Sequence, residues 1–178
     1  MRTIEIRRHT MRVKPGQHLS QAGVDLARLV GNRMGPFDRV VTSAIPRAFE
    51  TAITMGFAVD EQIEQIGIME DEVSGEVAWD AGFGGWGNAL RADGVASRYA
   101  QTLAALWQSI AAALPMAGAA LAITHGGIAE AGAVACLRDA NHAEWGPPLR
   151  YCEGVRLVWD GQKFVQATVL RVPLAPPD

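Results

Sequence analysis

Cysteine is scarce in this chain of 178 residues: only Cys136 and Cys152 occur, without CxxC spacing and without a neighbouring cluster of metal-binding side chains. Neither a disulfide framework nor a structural zinc site is indicated, and both residues read as ordinary thiols. Long apolar runs are missing too. The most apolar stretch, Ile110 to Ile123, contains Pro115 and Gly118 and is too short to span a bilayer. No block of like charge is present, and a net charge of −3 argues against general affinity for nucleic acid. Nor does a cationic, apolar leader open the chain, so a cytoplasmic protein without a membrane partner is expected. Internal repeats are absent. With 49% hydrophobic residues the chain holds one core and is too short for two ordinary domains, so residues 1–178 are read as a single domain.

What the sequence does contain is an alternation of strand and helix signals. Residues 3–7 read as a first strand, and Ser20 offers an N-cap for a helix with apolar Ala22, Leu26, Leu29 and Val30, stopped by Gly35-Pro36. Arg39 to Thr42 is a second strand, followed by a helix from Ser43 to Met55 with Pro46 in its first turn. Tyr99, Leu103, Leu106, Ile110 and Leu114 trace one face of a long helix that Pro115 ends. Ala119 to Thr124 suits a strand buried on both faces, and Gly127 to Leu137 returns as helix. Gly154 to Trp159 and Lys163 to Val172 flank Asp160-Gly161, a two-residue hairpin signal. The pattern predicts a three-layer α/β/α sandwich with a mostly parallel sheet and an antiparallel edge strand. Residues 67–96 fit no strong period and read as a short lid over the sheet edge rather than as core.

Charge is distributed unevenly. Residues 1–50 hold nine of the sixteen Lys and Arg against four acids, whereas residues 60–80 hold eight acids and no base. A positive field near the first strand beside an acidic segment suits an anionic ligand and an acidic proton donor, and a solvated surface patch would have the same composition. Arg8-His9-Thr10 stands where the first strand ends, and Thr124-His125-Gly126-Gly127 where the buried strand ends. Ligands in such folds collect at the carboxyl ends of strands, which also holds Ser43. Arg47 lies in the first turn of a helix, where a cation opposes the helix dipole, as an anion-binding role would explain.

Taken as a set, these motifs resemble the histidine phosphatase, or phosphoglycerate mutase-like, superfamily. The resemblance rests on Arg8-His9-Thr10, on Leu19-Ser20-Gln21-Ala22-Gly23, on Asp38 to Ala48 with Thr51-Ala52, and on Thr124-His125-Gly126-Gly127. It implies a phosphatase acting on a small phosphorylated substrate without metal or cofactor. His9 would be the nucleophile that forms a phosphohistidine, Arg8 and Arg47 would clamp the phosphoryl oxygens, and His125 would add a further donor. Thr10, Arg12, Ser43 and Gly126 would contact the substrate, although Arg12, like Lys14, can also be read as solvated loop charge. The superfamily's proton donor is a lid carboxylate, which points to Glu70, with Glu72 and Glu76 as further choices. Two positions depart from its pattern: Thr10 replaces a glycine, and Pro15 stands near the place of an asparagine. A lid of about 30 residues disfavours a mutase. A phosphohistidine or phosphoprotein phosphatase is an alternative, as is a weakly active module that binds phosphorylated ligands, motivated by Thr10. Gly82-x-Gly84-x-x-Gly87 has the spacing of a dinucleotide fingerprint but no strand before it, and is read with Trp79, Phe83 and Trp86 as part of the lid. His18 and His142 carry no motif, and the sequence leaves the oligomeric state open.

Overall fold

The computed structural model describes residues 1–173. Its strands are β1 (Arg2–Arg8), β2 (Arg39–Thr42), β3 (Glu61–Gln62), β4 (Ala119–Thr124), β5 (Gly154–Trp159) and β6 (Phe164–Leu170). They form one sheet in the order β3-β2-β4-β1-β5-β6. The first four run parallel, and β5 and β6 continue the sheet antiparallel. The helices are α1 (Gln21–Gly31), α2 (Pro46–Thr54), α3 (Asp71–Gly75), α4 (Phe83–Arg91), α5 (Val95–Ala113) and α6 (Ile128–Cys136). The expected three-layer α/β/α sandwich with a mostly parallel sheet is what forms.

Period-two alternation in β4 shows why. Leu121 and Ile123 pack with Ala27 of α1 and Ala48 and Ala52 of α2, whereas Ala120 and Ala122 join the opposite cluster, with Leu103 and Trp107 of α5 and Val134 of α6. Helices therefore cover both faces, and the strand reads as a continuous apolar run. β1 is less symmetrical. Ile4 and Ile6 face the larger core, but Glu5 is buried between Arg7 at 2.9 Å and Arg156 at 2.5 Å. Local signals hold at the helix starts: Ser20 Oγ accepts from Gly23 N at 3.1 Å, and Pro46 begins α2, where its missing amide hydrogen costs nothing.

Two expectations need correction. Residues 67–96 are not simply an excursion, because α3 and α4 contribute Val73, Phe83, Trp86 and Leu90 to the larger core. The helical spacing of Phe83, Trp86 and Leu90 is masked by Gly84, Gly85 and Gly87, whose poor helix propensity makes the segment read as loop. Gly85 is there for close packing, since a Cβ at this position would collide with the Ala78 carbonyl. The hairpin turn is longer than two residues: Trp159 pairs with Phe164, and the Asp160 carboxylate accepts from Gln162 N and Lys163 N, both at 2.8 Å. The two-residue strand β3, beyond β2, lacks enough residues to show any period.

Candidate active site

β1 and β4 are parallel neighbours in a register that sets Arg8 beside Thr124, and His9 N donates to Thr124 O at 2.8 Å. The residues that follow the two strands are thus brought side by side, and the His9 and His125 rings lie 5.0 Å apart, edge to face. The hydrogen bonds around His9 fix which of its nitrogens carries the hydrogen. Nδ1 lies 2.6 Å from the Thr10 carbonyl, which only accepts, so Nδ1 carries the hydrogen. Nε2 is left with its lone pair and receives Arg47 Nε–H at 3.0 Å. Burial, then the charges of Arg47, Arg8 and Arg12, hold the His9 pKa down at about 4 against the opposing Thr10 carbonyl. At neutral pH His9 is an uncharged base.

Arg47 organises the pair from the first turn of α2. Its Nη2 donates to His125 Nδ1 at 3.1 Å and its Nη1 to the side-chain oxygen of Gln17, so each guanidinium nitrogen serves a different partner. His125 consequently donates through Nε2 to Ser43 Oγ, 2.7 Å away. Burial, followed by His9, Arg47 and Arg8, lowers the His125 pKa to about 3. Arg8 enters from the other side, donating to the Leu149 carbonyl at 2.7 Å with its guanidinium 4.6 Å over the Tyr151 ring. Its Nε is buried and has no partner among the described residues.

These groups line a cavity of about 420 Å³, which also admits Arg12, Lys14, Gly126, Trp79 and Trp86. Thr10 and Ser43 do not line it. The Thr10 hydroxyl donates to the Gly23 carbonyl at 2.9 Å, its amide donates to Thr51 Oγ1 at 3.1 Å, and the residue is fully buried. It ties the turn after β1 to α1 and α2 instead of reaching a ligand, and its φ lies outside the glycine-favouring region. Ser43 orients His125 and accepts from Ile45 N at 3.2 Å in the turn before α2, so it too sits behind the cavity wall. Gly23 explains the Leu-Ser-x-x-Gly motif: a Cβ there would strike the Met11 carbonyl, so only glycine lets α1 approach the turn.

The acidic segment performs other work. Glu70 is exposed at the N-terminus of α3 and Glu72 is exposed beside it, and neither lines the cavity. Glu76 accepts from Ala96 N at 2.8 Å and caps α5. Asp60 holds Val40 N at 2.7 Å, and Glu61 pairs with Arg39 at 2.6 Å. The one carboxylate that does line the cavity is Glu130, among the described residues. Sequence reasoning passed over it as helix interior. Its oxygens accept from Gly127 N at 2.7 Å and Leu149 N at 2.8 Å, and burial raises its pKa. Tyr151 and Gln17 were missed as well. Trp79 and Trp86 line the cavity, whereas Phe83 packs in the core. The Gly82 to Gly87 segment follows a 3-10 turn at Trp79–Ala81 and no strand, so it is not a dinucleotide loop. His18 pairs with Glu50 at the surface, and His142 is buried with Nε2 donating to the Leu137 carbonyl at 3.0 Å.

Among the described residues no three His, Cys, Asp or Glu side chains converge as a metal site would require, and no helix is long and apolar enough to cross a membrane. The arrangement suits a tetrahedral anion: an uncharged imidazole nitrogen is surrounded by two guanidinium groups and a second imidazole.

No protein-family model matches the sequence, and no curated protein sequence matches it. Solved structures do. A phosphoserine phosphatase from Entamoeba histolytica, crystallised with 3-phosphoglyceric acid, superposes with a TM-score of 0.70 at 14% identity, covering 97% of this chain and 98% of its own. YhfR from Bacillus stearothermophilus has a TM-score of 0.64 at 19% identity over 93% and 95% of the two chains. A mycobacterial glucosyl-3-phosphoglycerate phosphatase has a TM-score of 0.61 at 15% identity over 94% and 96%. Near-complete coverage in both directions at such low identity is a statement about architecture, and the chain has the fold of the histidine phosphatase, or phosphoglycerate mutase-like, superfamily.

Proposed function

We propose that the protein hydrolyses a small phosphomonoester through a phosphohistidine on His9, as a single domain in which residues 67–96 roof the cavity with Trp79 and Trp86. The observation that carries this reading is the His9 tautomer. Nδ1–H is tied to the Thr10 carbonyl, so the Nε2 lone pair points to Arg47, on the side where a phosphoryl group would be held. Attack by Nε2 forms the N–P bond as the P–O bond to the leaving alcohol breaks. The imidazole becomes cationic in that step, and the Thr10 carbonyl stabilises its Nδ1–H. Arg47 passes its Nε–H from the lone pair to a phosphoryl oxygen, and Arg8 and His125 bind the others. Water then attacks phosphorus, the N–P bond breaks, and inorganic phosphate leaves.

We assign the proton for the leaving oxygen to Glu130. It lines the cavity, burial raises its pKa, and two backbone amides stabilise the carboxylate once the proton has gone. In the second step that carboxylate takes the proton from water. The phosphatases among the structural neighbours support the reaction class, and the ligand of the Entamoeba protein is a small phosphorylated acid. A weakly active binding module was suggested by Thr10 alone, and a Thr10 packed without left-handed strain removes that motive. The test is hydrolysis of an aryl phosphate by the wild type and by His9→Ala. Turnover that survives the substitution rules the mechanism out.

A further inference from the structure

Arg8 lines two spaces: the cavity that holds His9, and a second of about 520 Å³ with Pro147, Pro148, Leu149, Arg150 and Arg171 on its walls. Among the described residues no carboxylate pairs with it, and its one hydrogen bond joins Nη1 to the Leu149 carbonyl at 2.7 Å. A guanidinium held at a single nitrogen can turn from one space into the other. What confines it is contact with its flat faces. A Cβ built on Gly126 would stand 3.2, 3.2 and 3.3 Å from Arg8 Cζ, Nε and Nη1, and such nearly equal distances place it above the guanidinium plane rather than at an edge. The second flat contact is the Tyr151 ring, with Arg8 Cζ 4.6 Å from its centroid. Nε, buried without a partner, and Nη2 are left unbonded among the described residues. These two N–H groups point the same way, and together they form the side-on fork that meets two oxygens of a phosphoryl group.

The backbone brings Tyr151 to this place by pairing with Arg8 itself. Arg8 N donates to Glu153 O at 2.9 Å, and Cys152 N donates to Arg8 O at 3.1 Å. The bend between Tyr151 and β5 is made at Cys152, whose φ of 60° lies in the left-handed region that side chains rarely occupy. Strain of this kind persists only where the surroundings over-determine it, and it clusters at ligand clamps. The same ring also reaches the nucleophile, with the Tyr151 and His9 centroids 5.9 Å apart at 47°. One side chain thus touches both the attacking imidazole and the guanidinium that must face its target. We infer that Tyr151 is a positioning residue: its ring, with Gly126, keeps the Arg8 guanidinium in the plane that presents the Nε–Nη2 fork to the phosphoryl oxygens, and out of the second space. The reaction so served is the one proposed above, whereas the positioning of Arg8 can be observed without turnover.

Tyr151→Phe keeps the ring and Tyr151→Leu removes it, and each is made alone and together with Arg8→Gln. Three quantities are measured: the Kd of inorganic phosphate by calorimetry, kcat/KM for an aryl phosphate, and the NMR order parameter of Arg8 Nε–H, whose signal is identified by its absence from Arg8→Gln. Tyr151→Leu is expected to weaken phosphate binding and lower kcat/KM about 2- to 30-fold, as loss of a cation–π contact would give, and to lower the order parameter. Tyr151→Phe should restore all three. On the Arg8→Gln background Tyr151→Leu should change Kd and kcat/KM by less than about twofold, because no guanidinium remains to be positioned. Gly126→Ala presses on the same guanidinium and should show the same dependence on Arg8, which keeps the proposal testable where Tyr151→Leu fails to fold. A Tyr151→Phe variant as impaired as Tyr151→Leu would assign the effect to the hydroxyl, and equal losses with and without Arg8 would make the ring a packing element alone; either result overturns the proposal. An Arg8-dependent loss of phosphate affinity and of order, with no turnover of the aryl phosphate by the wild type, supports the positioning and defeats the hydrolase reading instead.

Discussion

Replacing Arg47 by lysine keeps the charge and removes the geometry. In the unliganded site Arg47 reaches His9 Nε2 at 3.0 Å through Nε, His125 Nδ1 at 3.1 Å through Nη2, and Gln17 through Nη1. An ammonium is a point charge and cannot hold three such directions from one stem. If two of these donors turn to phosphoryl oxygens in the transition state, each worth about 1.5–3 kcal/mol as a charge-assisted hydrogen bond, their loss costs roughly 3–6 kcal/mol. That corresponds to a fall in kcat/KM of about 10²–10⁴-fold. The charge near His9 survives in Arg47→Lys, so its imidazole stays neutral and the variant isolates geometry from electrostatics. Arg47→Gln removes both and should be at least as slow. The assay is steady-state hydrolysis of an aryl phosphate, with far-UV circular dichroism and thermal unfolding to show that α2 is intact. A folded Arg47→Lys variant within about fivefold of wild type would refute the clamp.

Three further outcomes are expected. The pKa values of His9 and His125 are lowered to about 4 and about 3 from an ordinary 6.5, so between pH 6.5 and 4 the unfolded chain binds protons that the folded chain refuses, and stability falls with falling pH. The loss at pH 5 relative to pH 7 is on the order of 2–4 kcal/mol. Glu130, raised by burial, acts in the opposite sense, so the readout is the difference in urea midpoint between wild type and His9→Asn, and identical pH slopes would contradict the assignment. Glu130→Gln should slow substrates with poor leaving groups far more than aryl phosphates, while Glu70→Gln leaves that comparison unchanged; the reverse pattern would restore Glu70. Gly23→Ala forces a methyl group into the Met11 carbonyl and should cost about 1–3 kcal/mol of stability in thermal unfolding, and an unaltered melting temperature would count against the close approach.

Much of the fold was legible because its determinants are local. The Ser20 cap, Pro46 at the start of α2, Pro115 after α5 and the continuous apolar β4 each carry their physics within a few residues. The same holds for His9 and His125, which adjacent parallel strands had to bring together. Legibility failed where the reason for a residue lay across the molecule. The glycines of α4 answer to partners such as Ala78 and His142, so their composition suggested loop. Thr10 looked like a ligand contact, but its hydroxyl belongs to Gly23, thirteen positions on. Glu70 is suggested by its place in the chain, whereas Glu130 reaches the cavity because α6 begins three residues after His125 and folds its third residue back on Gly127 N. Tyr151 meets Arg8 from the connection before β5, a pairing that no spacing encodes.

The central claim is a covalent bond between His9 Nε2 and phosphorus. Its most direct test is rapid denaturing quench of the enzyme during turnover of a radiolabelled phosphomonoester, followed by peptide mapping. The account predicts an acid-labile, base-stable label on the peptide that contains His9, formed before free phosphate and absent from His9→Ala. Undiminished turnover without such a label, or a label that persists in His9→Ala, would contradict it.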